Sequence, residues 1–310
     1  MMAVVRRSSL DRRSYLLGFA TLALLGLTDC NKNGNSVQPP ALPIVSQRPF
    51  GMHAFSYAVG TIKPNLVTQT GLDQTVTNFY DQWKAKYLRA GCGVGRYYIW
   101  TADSSGGGKA SSSISVSEGH GYGMIITALM SGYDRNAKKY FDGMFQYFKD
   151  HPAGSSSNLM AWNQLADCSN SPALHSGPNY LETAYDGEFS YNACRVPWRL
   201  ATDYLVSGEP RSLSAVQKIN SWVKGKVGSN AALLVDGYTL AGNTSAGATG
   251  PSMSFTAPLA VAAMSDASNQ AWLNSLWSQM TATALVNEDY YGNTLKLIST
   301  IVISGNWWSP

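Results

Sequence analysis

Charged residues are scarce in this chain: Asp, Glu, Lys and Arg fill 14% of 310 positions, while 45% are hydrophobic. The acids and bases nearly cancel, leaving +4. Four of the bases (Arg6, Arg7, Arg12, Arg13) and two of the acids (Asp11, Asp29) lie in the first thirty residues, so the remainder carries about +2. Such a balance gives no field able to recruit nucleic acid or an anionic membrane. Cysteine is scarce as well. Beyond Cys30 there are only Cys92, Cys168 and Cys194, and their scatter, with no CxxC pair, argues against a zinc site. In an oxidising compartment one disulfide and one free thiol would be ordinary, and the sequence does not pair them. After residue 30 no apolar run is long enough to cross a bilayer.

Aromatic residues, by contrast, are plentiful: 17 Tyr, 9 Trp and 9 Phe. With few charges, they suit either an aromatic-rich core or a surface that stacks on something flat, such as the C–H face of a sugar. The N-terminus has a different composition. Four arginines precede an apolar run from Leu16 to Leu27, too short to span a bilayer comfortably, and the segment reads as a secretory signal over residues 1–30. Arg12-Arg13-Ser14-Tyr15-Leu16-Leu17 resembles a twin-arginine export signal. Leu27-Thr28-Asp29-Cys30 resembles a lipoprotein box with Asp29 in place of a small residue, which makes Cys30 a candidate lipid anchor. Polar, proline-bearing residues 31–43 read as a linker, and residues 44–310 as the functional domain.

That domain is patterned for helices. Leu72, Val76, Phe79, Tyr80, Trp83 and Tyr87 recur at three- and four-residue spacing. So do Phe141, Met144, Phe145 and Phe148; Leu213, Val216, Ile219 and Val223, with Ser212 as N-cap; Trp272, Leu273, Leu276 and Met280; and Leu295, Ile298, Ile301 and Val302, stopped by Gly305. Further helices are expected after Glu118, between Pro197 and Gly208, and near residues 252–264, where Pro258 would kink the last. Arg96 to Trp100 and Leu233 to Leu240 alternate like short rim strands. The expectation is an all-α fold of about eight helices in stacked hairpins.

The segment with most chemical content is Ser117-Glu118-Gly119-His120-Gly121-Tyr122-Gly123-Met124. A carboxylate among three glycines lets backbone and ligand approach closely, and beside Tyr122 and apolar walls it would suit a proton donor. The plainer reading is an acid favoured by a helix N-terminus. The string resembles the signature of glycoside hydrolase family 8, Ser-Glu-Gly-x-Gly-Tyr-Gly, whose glutamate is the proton donor. Thr61-Ile62-Lys63-Pro64, Trp83 to Tyr87, Tyr140-Phe141-Asp142-Gly143 and Leu159-Met160-Ala161-Trp162 are similar to that family's N-terminal half. Tyr191 to Arg199, Val235-Asp236-Gly237-Tyr238 and Ser304 to Trp308 are similar to its C-terminal half. The resemblance covers residues 55–310. It implies a toroid of six helical hairpins with an open cleft, and inverting hydrolysis of β-1,4-linked glucan, mixed-linkage glucan, xylan or chitosan without metal or cofactor.

The same resemblance implies site residues. Glu118 takes the place of the acid. Many members carry the base as an aspartate just before Ala-x-Arg, where this chain has Asn192; in a subfamily with that asparagine, a glutamate in the preceding loop serves instead. Glu182 matches it, with Glu188 and Asp186 as the next candidates. Tyr122, Trp162, Asn192, Arg195 and Trp198 are the expected substrate-side residues, with Arg195 orienting a carboxylate. One departure stands out. The family's Ala-Thr-Asp-Gly/Ala-Asp motif, whose first aspartate grips the sugar, is absent. The chain passes from Trp162-Asn163-Gln164 to Leu165-Ala166-Asp167-Cys168 as if roughly a hundred residues, two hairpins, had been removed. An exported endo-β-glucanase is the leading expectation. A carbohydrate-binding protein without catalysis and a nonfunctional remnant are the alternatives.

Overall fold

A computed structural model describes residues 48–104, 112–154, 156–171 and 183–308. The leader, the linker, Cys30 and Glu182 lie outside the described residues. Among those described, eight α-helices carry the fold: α1 Gln69–Tyr87, α2 Ser117–Leu129, α3 Ala137–Asp150, α4 Val196–Ser207, α5 Pro210–Lys226, α6 Met253–Ala263, α7 Gln270–Ala282 and α8 Tyr290–Ser304. Six short strands accompany them: β1 Leu88–Ala90, β2 Tyr97–Ile99, β3 Ser113–Val116, β4 Pro152–Ala153, β5 Ser156–Met160 and β6 Asn163–Leu165. They form three antiparallel pairs, β1–β2, β3–β6 and β4–β5, at the rim of the helices.

The helices pack as hairpins. α2 lies on α3, α4 on α5 and α6 on α7, while α1 closes against α8 from the other end of the chain. α2, α8, α6 and α4 form an inner row, each touching the next. Every residue of α6 is buried, as is every residue of α8 except Tyr291, so these two have no solvent face. The apolar stripes explain the packing. All six residues of the first stripe are buried on α1, and Trp272, Leu273, Leu276 and Met280 are buried on α7. α4 begins with Pro197 in its first turn and ends at Gly208, whose φ of +74° only glycine adopts without strain.

Several expectations are corrected by the structure. On α3 the core face is Ala137, Gly143, Met144 and Tyr147, whereas Phe141, Phe145 and Phe148 stay off the core and Phe145 is 43% exposed. α5 starts three residues earlier than its stripe suggested. Glu209 caps it by accepting from the amide of Arg211, Pro210 fills its first turn, and Ser212 instead donates to Asp203. α6 runs through Pro258 as one helix. Residues 233–240 are the end of a 3-10 turn, Ala231–Leu233, and the loop after it rather than a strand, with only isolated bridges from Tyr238 to Phe189 and Thr244. Cys92, in the β1–β2 turn, is bonded to Cys168 after β6, and the buried Cys194 donates its thiol to the Tyr191 carbonyl. No described helix is long and apolar enough to cross a membrane.

Candidate active site

The N-terminal ends of the inner helices share one rim, and a cleft of about 490 Å³ opens there. Glu118 enters it from the first turn of α2, Ser252 from the N-cap of α6, and Glu288, Asp289, Tyr290 and Tyr291 from the start of α8. Arg195, the residue before α4, reaches the same place through Glu118. Four helix N-termini converging on one cleft offer partial positive charge to acids, which accounts for the carboxylates collected there.

Glu118 is held on one oxygen. Its Oε1 accepts from the Arg195 guanidinium and from the Tyr122 hydroxyl at 3.1 Å, while its side chain remains 28% exposed. The expected apolar wall is therefore a guanidinium. Arg195 also donates through Nη2 to the carbonyl of Asn192 at 3.3 Å and lies over the Tyr291 ring. Burial would push the Arg195 pKa down, but Tyr291, Glu118 and Tyr122 outweigh it and hold the group above the ordinary arginine value. Tyr122 is pushed up to about 12, first by burial and then by the Glu118 charge.

The glycines beside Glu118 serve packing more than ligand approach. A Cβ on Gly119 would stand 2.7 Å from Thr101 and 3.0 Å from the Tyr290 hydroxyl, which donates to the Gly119 carbonyl. One on Gly123 would collide with Ile99 of β2 at 2.3 Å. Gly121 meets nothing within 4 Å. Two of the three thus let α8 and β2 press against α2, which fixes where Glu118 emerges.

The remaining candidates separate. Trp162 lines the cleft with 39% of its surface exposed, and its carbonyl accepts from the amide of Ser117, one residue before Glu118. Trp198 does not line the cleft. It is buried behind Tyr122, edge-on to that ring at 6.3 Å and to Trp307 at 6.0 Å. Asn192 does not line it either; its Oδ1 is buried without a hydrogen-bond partner. In the base loop, Thr183 borders the cleft, Asp186 accepts from the Thr183 amide in a turn, and Glu188 has a buried, unpartnered Oε2.

Asp236, Glu288 and Asp289 also line the cleft and were not among the expected site residues, although Asp236 lies in one of the motifs quoted above. Asp236 accepts from Thr249 twice, from the Gly250 amide and from Tyr191. Burial raises its pKa, but these donors outweigh it and hold the carboxyl below the usual range. Glu288 accepts from the Met253 amide at the start of α6, and burial pushes its pKa up. Asp289 caps α8 and accepts from Ser104. Two acids followed by two tyrosines, Glu288 to Tyr291, directly before a helical stripe was the signal available for this edge.

No family model matches the chain. It is 31% identical to a β-glucanase of Niallia circulans over 388 residues, covering 84% of this chain and 91% of that protein. The structure superposes on that of a β-1,3-1,4-glucanase from Paenibacillus sp. X4 with a TM-score of 0.75 at 29% identity, covering 85% of this chain and 99% of the other. A glycoside hydrolase family 8 protein from Teredinibacter turnerae, solved with xylobiose, shares the fold at a TM-score of 0.56 and 13% identity, over 75% of this chain and 94% of the other.

Proposed function

The chain belongs to glycoside hydrolase family 8, and from that premise we propose an exported, inverting endo-β-glucanase acting on neutral β-1,4-linked or mixed-linkage glucan. The observation that carries the proposal is Glu118, fixed at the cleft by Arg195 and Tyr122 through one carboxyl oxygen. With Oε1 engaged, Oε2 is the oxygen left to hand a proton to the glycosidic oxygen as the bond to the anomeric carbon breaks. Water attacks that carbon from the opposite face and gives its proton to a second carboxylate, which in an inverting enzyme stands ~6.5–9.5 Å from the first. Glu182 is assigned that role. In the sequence it directly precedes Thr183, which borders the cleft, and the amide of Asn192 cannot take a proton. Trp162 offers the exposed flat face on which a sugar ring stacks.

The state of the other acids supports a neutral substrate. Asp236 is saturated by internal donors, Asp289 caps α8, and Glu288 accepts from the Met253 amide that opens α6. Carboxylates occupied in this way are poor partners for the ammonium groups of a chitosan.

The proposal includes the loss of two hairpins after Gln164. Eight described helices stand where six hairpins would supply twelve, and the match to the Niallia circulans protein runs over 388 residues although 84% of 310 is only about 260. α2 and α4 meet through Glu118–Arg195 and Tyr122–Trp198, which ties the two flanks of that junction together. The family's sugar-gripping aspartate would have been lost with the missing segment. That absence favours the second reading, a glucan-binding protein without catalysis, possessing the same cleft. Export, with Cys30 as a candidate lipid anchor, rests on the leader sequence.

The test is reducing-end release from lichenan and carboxymethylcellulose, run beside retention on the same polymers. Release by the wild type and its loss in both Glu118→Gln and Glu182→Gln, with retention preserved, is the expected result. Release that survives Glu118→Gln removes the assignment, and retention with no release by the wild type selects the binding protein.

A further inference from the structure

Asp236, in the loop between α5 and α6, ties separate segments of the cleft wall together. It is 4% exposed. Its Oδ1 accepts from the amides of Thr249 at 2.6 Å and Gly250 at 3.2 Å, and its Oδ2 from the Thr249 hydroxyl at 2.8 Å and the Tyr191 phenol at 2.9 Å. A carboxylate offers about four lone-pair sites, so each is filled. Thr249 and Gly250 belong to the segment that runs through Pro251 to Ser252, the N-cap of α6. Tyr191, Thr249, Pro251 and Ser252 line the cleft beside Asp236 itself. From Tyr191 the contacts run on to Glu118. The Tyr191 carbonyl accepts from the Tyr291 hydroxyl at 3.3 Å. The Arg195 guanidinium stands over the Tyr291 ring, 5.9 Å from its centre, and binds Glu118.

We infer that Asp236 is a positioning residue of this cleft: it holds Tyr191 and the Thr249 to Ser252 segment together as one wall for the glucan chain. Through Tyr191 and Tyr291 it also keeps Arg195 aimed at Glu118. It needs no contact with sugar to do so, because its lone pairs are occupied within the chain. The carboxylate is required rather than its amide. Asparagine has a single acceptor oxygen, and its NH2 group would face donors where Asp236 accepts from them, so the set of bonds is broken at unchanged size. The Tyr191 phenol can be removed more gently. Phe255 stands edge-on to the Tyr191 ring at 5.4 Å, so the ring keeps an apolar support, and Asp236 keeps its bonds to Thr249 and Gly250. The inference rests on the reading of this cleft as a glucan site, and it applies whether the bound chain is cut or only held.

Calorimetric titration with a mixed-linkage β-glucan tetrasaccharide tests this in the Glu118→Gln protein, where the proposed acid is gone. Asp236→Asn, Tyr191→Phe and the two together are added to that parent, each with a thermal melt beside it. Asp236→Asn should weaken binding at least ~10-fold and Tyr191→Phe at least ~3-fold. The pair should bind no more weakly than Asp236→Asn alone, because the Tyr191 phenol acts through that carboxylate. With Glu118 in place, Asp236→Asn should also lower kcat on lichenan at least ~10-fold, since Arg195 loses its aim. An Asp236→Asn protein that binds as tightly as its parent, whatever its melting temperature, makes Asp236 a residue of the fold alone and overturns the inference. Effects of the two changes that simply add overturn it as well, as does a kcat that stays unchanged in an active enzyme. If Asp236→Asn does not fold, Tyr191→Phe carries the test, and unchanged affinity in that variant has the same consequence. All these results leave the glucan reading intact as long as the parent binds the tetrasaccharide. A wild type that neither binds nor cuts glucan removes that reading and the inference with it.

Discussion

Replacing Lys296 by Met should remove a pH dependence from the stability of this protein. Lys296 is 4% exposed on α8, with its Nζ 2.6 Å from the Thr283 carbonyl and over the Phe79 ring. Burial lowers its pKa to about 8, and the Glu288 charge only partly opposes that. The distance from the ordinary 10.5 is worth about 3 kcal/mol against the ammonium in the folded state. Below pH 8 both folded and unfolded chains hold the proton and the whole penalty is felt. Between 8 and 10.5 the unfolded chain holds it and the folded chain does not, so unfolding free energy rises with pH. From pH 7.5 to 9.5 the gain is about 2 kcal/mol, or roughly 4–8 °C in melting temperature for a domain of this size. The Met variant lacks this gain. Tyrosines held above 10 titrate alike in both proteins, so the difference between the two curves isolates Lys296. Urea or thermal melts at pH 7.5, 8.5 and 9.5 provide the measurement. Curves that stay parallel to within about 0.5 kcal/mol would refute the reasoning.

The glycines of α2 give opposite expectations. Gly123→Ala should destabilise by about 1–3 kcal/mol because its Cβ collides with Ile99. Gly121→Ala should be neutral or stabilise by about 0.5–1 kcal/mol, since it meets nothing and lies in a helix; chemical denaturation of both separates packing from ligand approach. Replacing Cys92 and Cys168 by Ser, which frees a loop of 76 residues, should cost up to about 4 kcal/mol by the same measurement and leave the cleft residues in place.

What the sequence revealed depended on what decided each element. The stripes of α1 and α7 were legible because a single apolar face chose their packing. α3 misled because its phenylalanines and its true core residues, Met144 and Tyr147, share the helical period on two different sides. No periodicity says which side has a neighbour. The start of α5 was misplaced because Ser212 looked like a cap, whereas Glu209 and Pro210 supplied the cap and the first turn. At the site, the Ser-Glu-Gly string pointed to Glu118, and Arg195 emerged as its partner. Trp198 was indistinguishable from a sugar-facing ring in sequence, yet it supports Tyr122 from behind. The edge made by Asp236 and Glu288 to Tyr291 was hidden because long-range packing assembles it from loops far apart in the chain.

The pairing of α1 with α8 also sets a timetable. Trp83 donates to Thr294 across 211 positions, and Asn293 donates to Tyr87 across 206. At a synthesis rate of roughly 5–20 residues per second, the apolar side of α1 waits about 10–40 s for the helix that will cover it. Throughout that interval the nascent chain presents Val76, Tyr80, Trp83 and Tyr87 to whatever else is near. The first described helix is thus among the last to find its place.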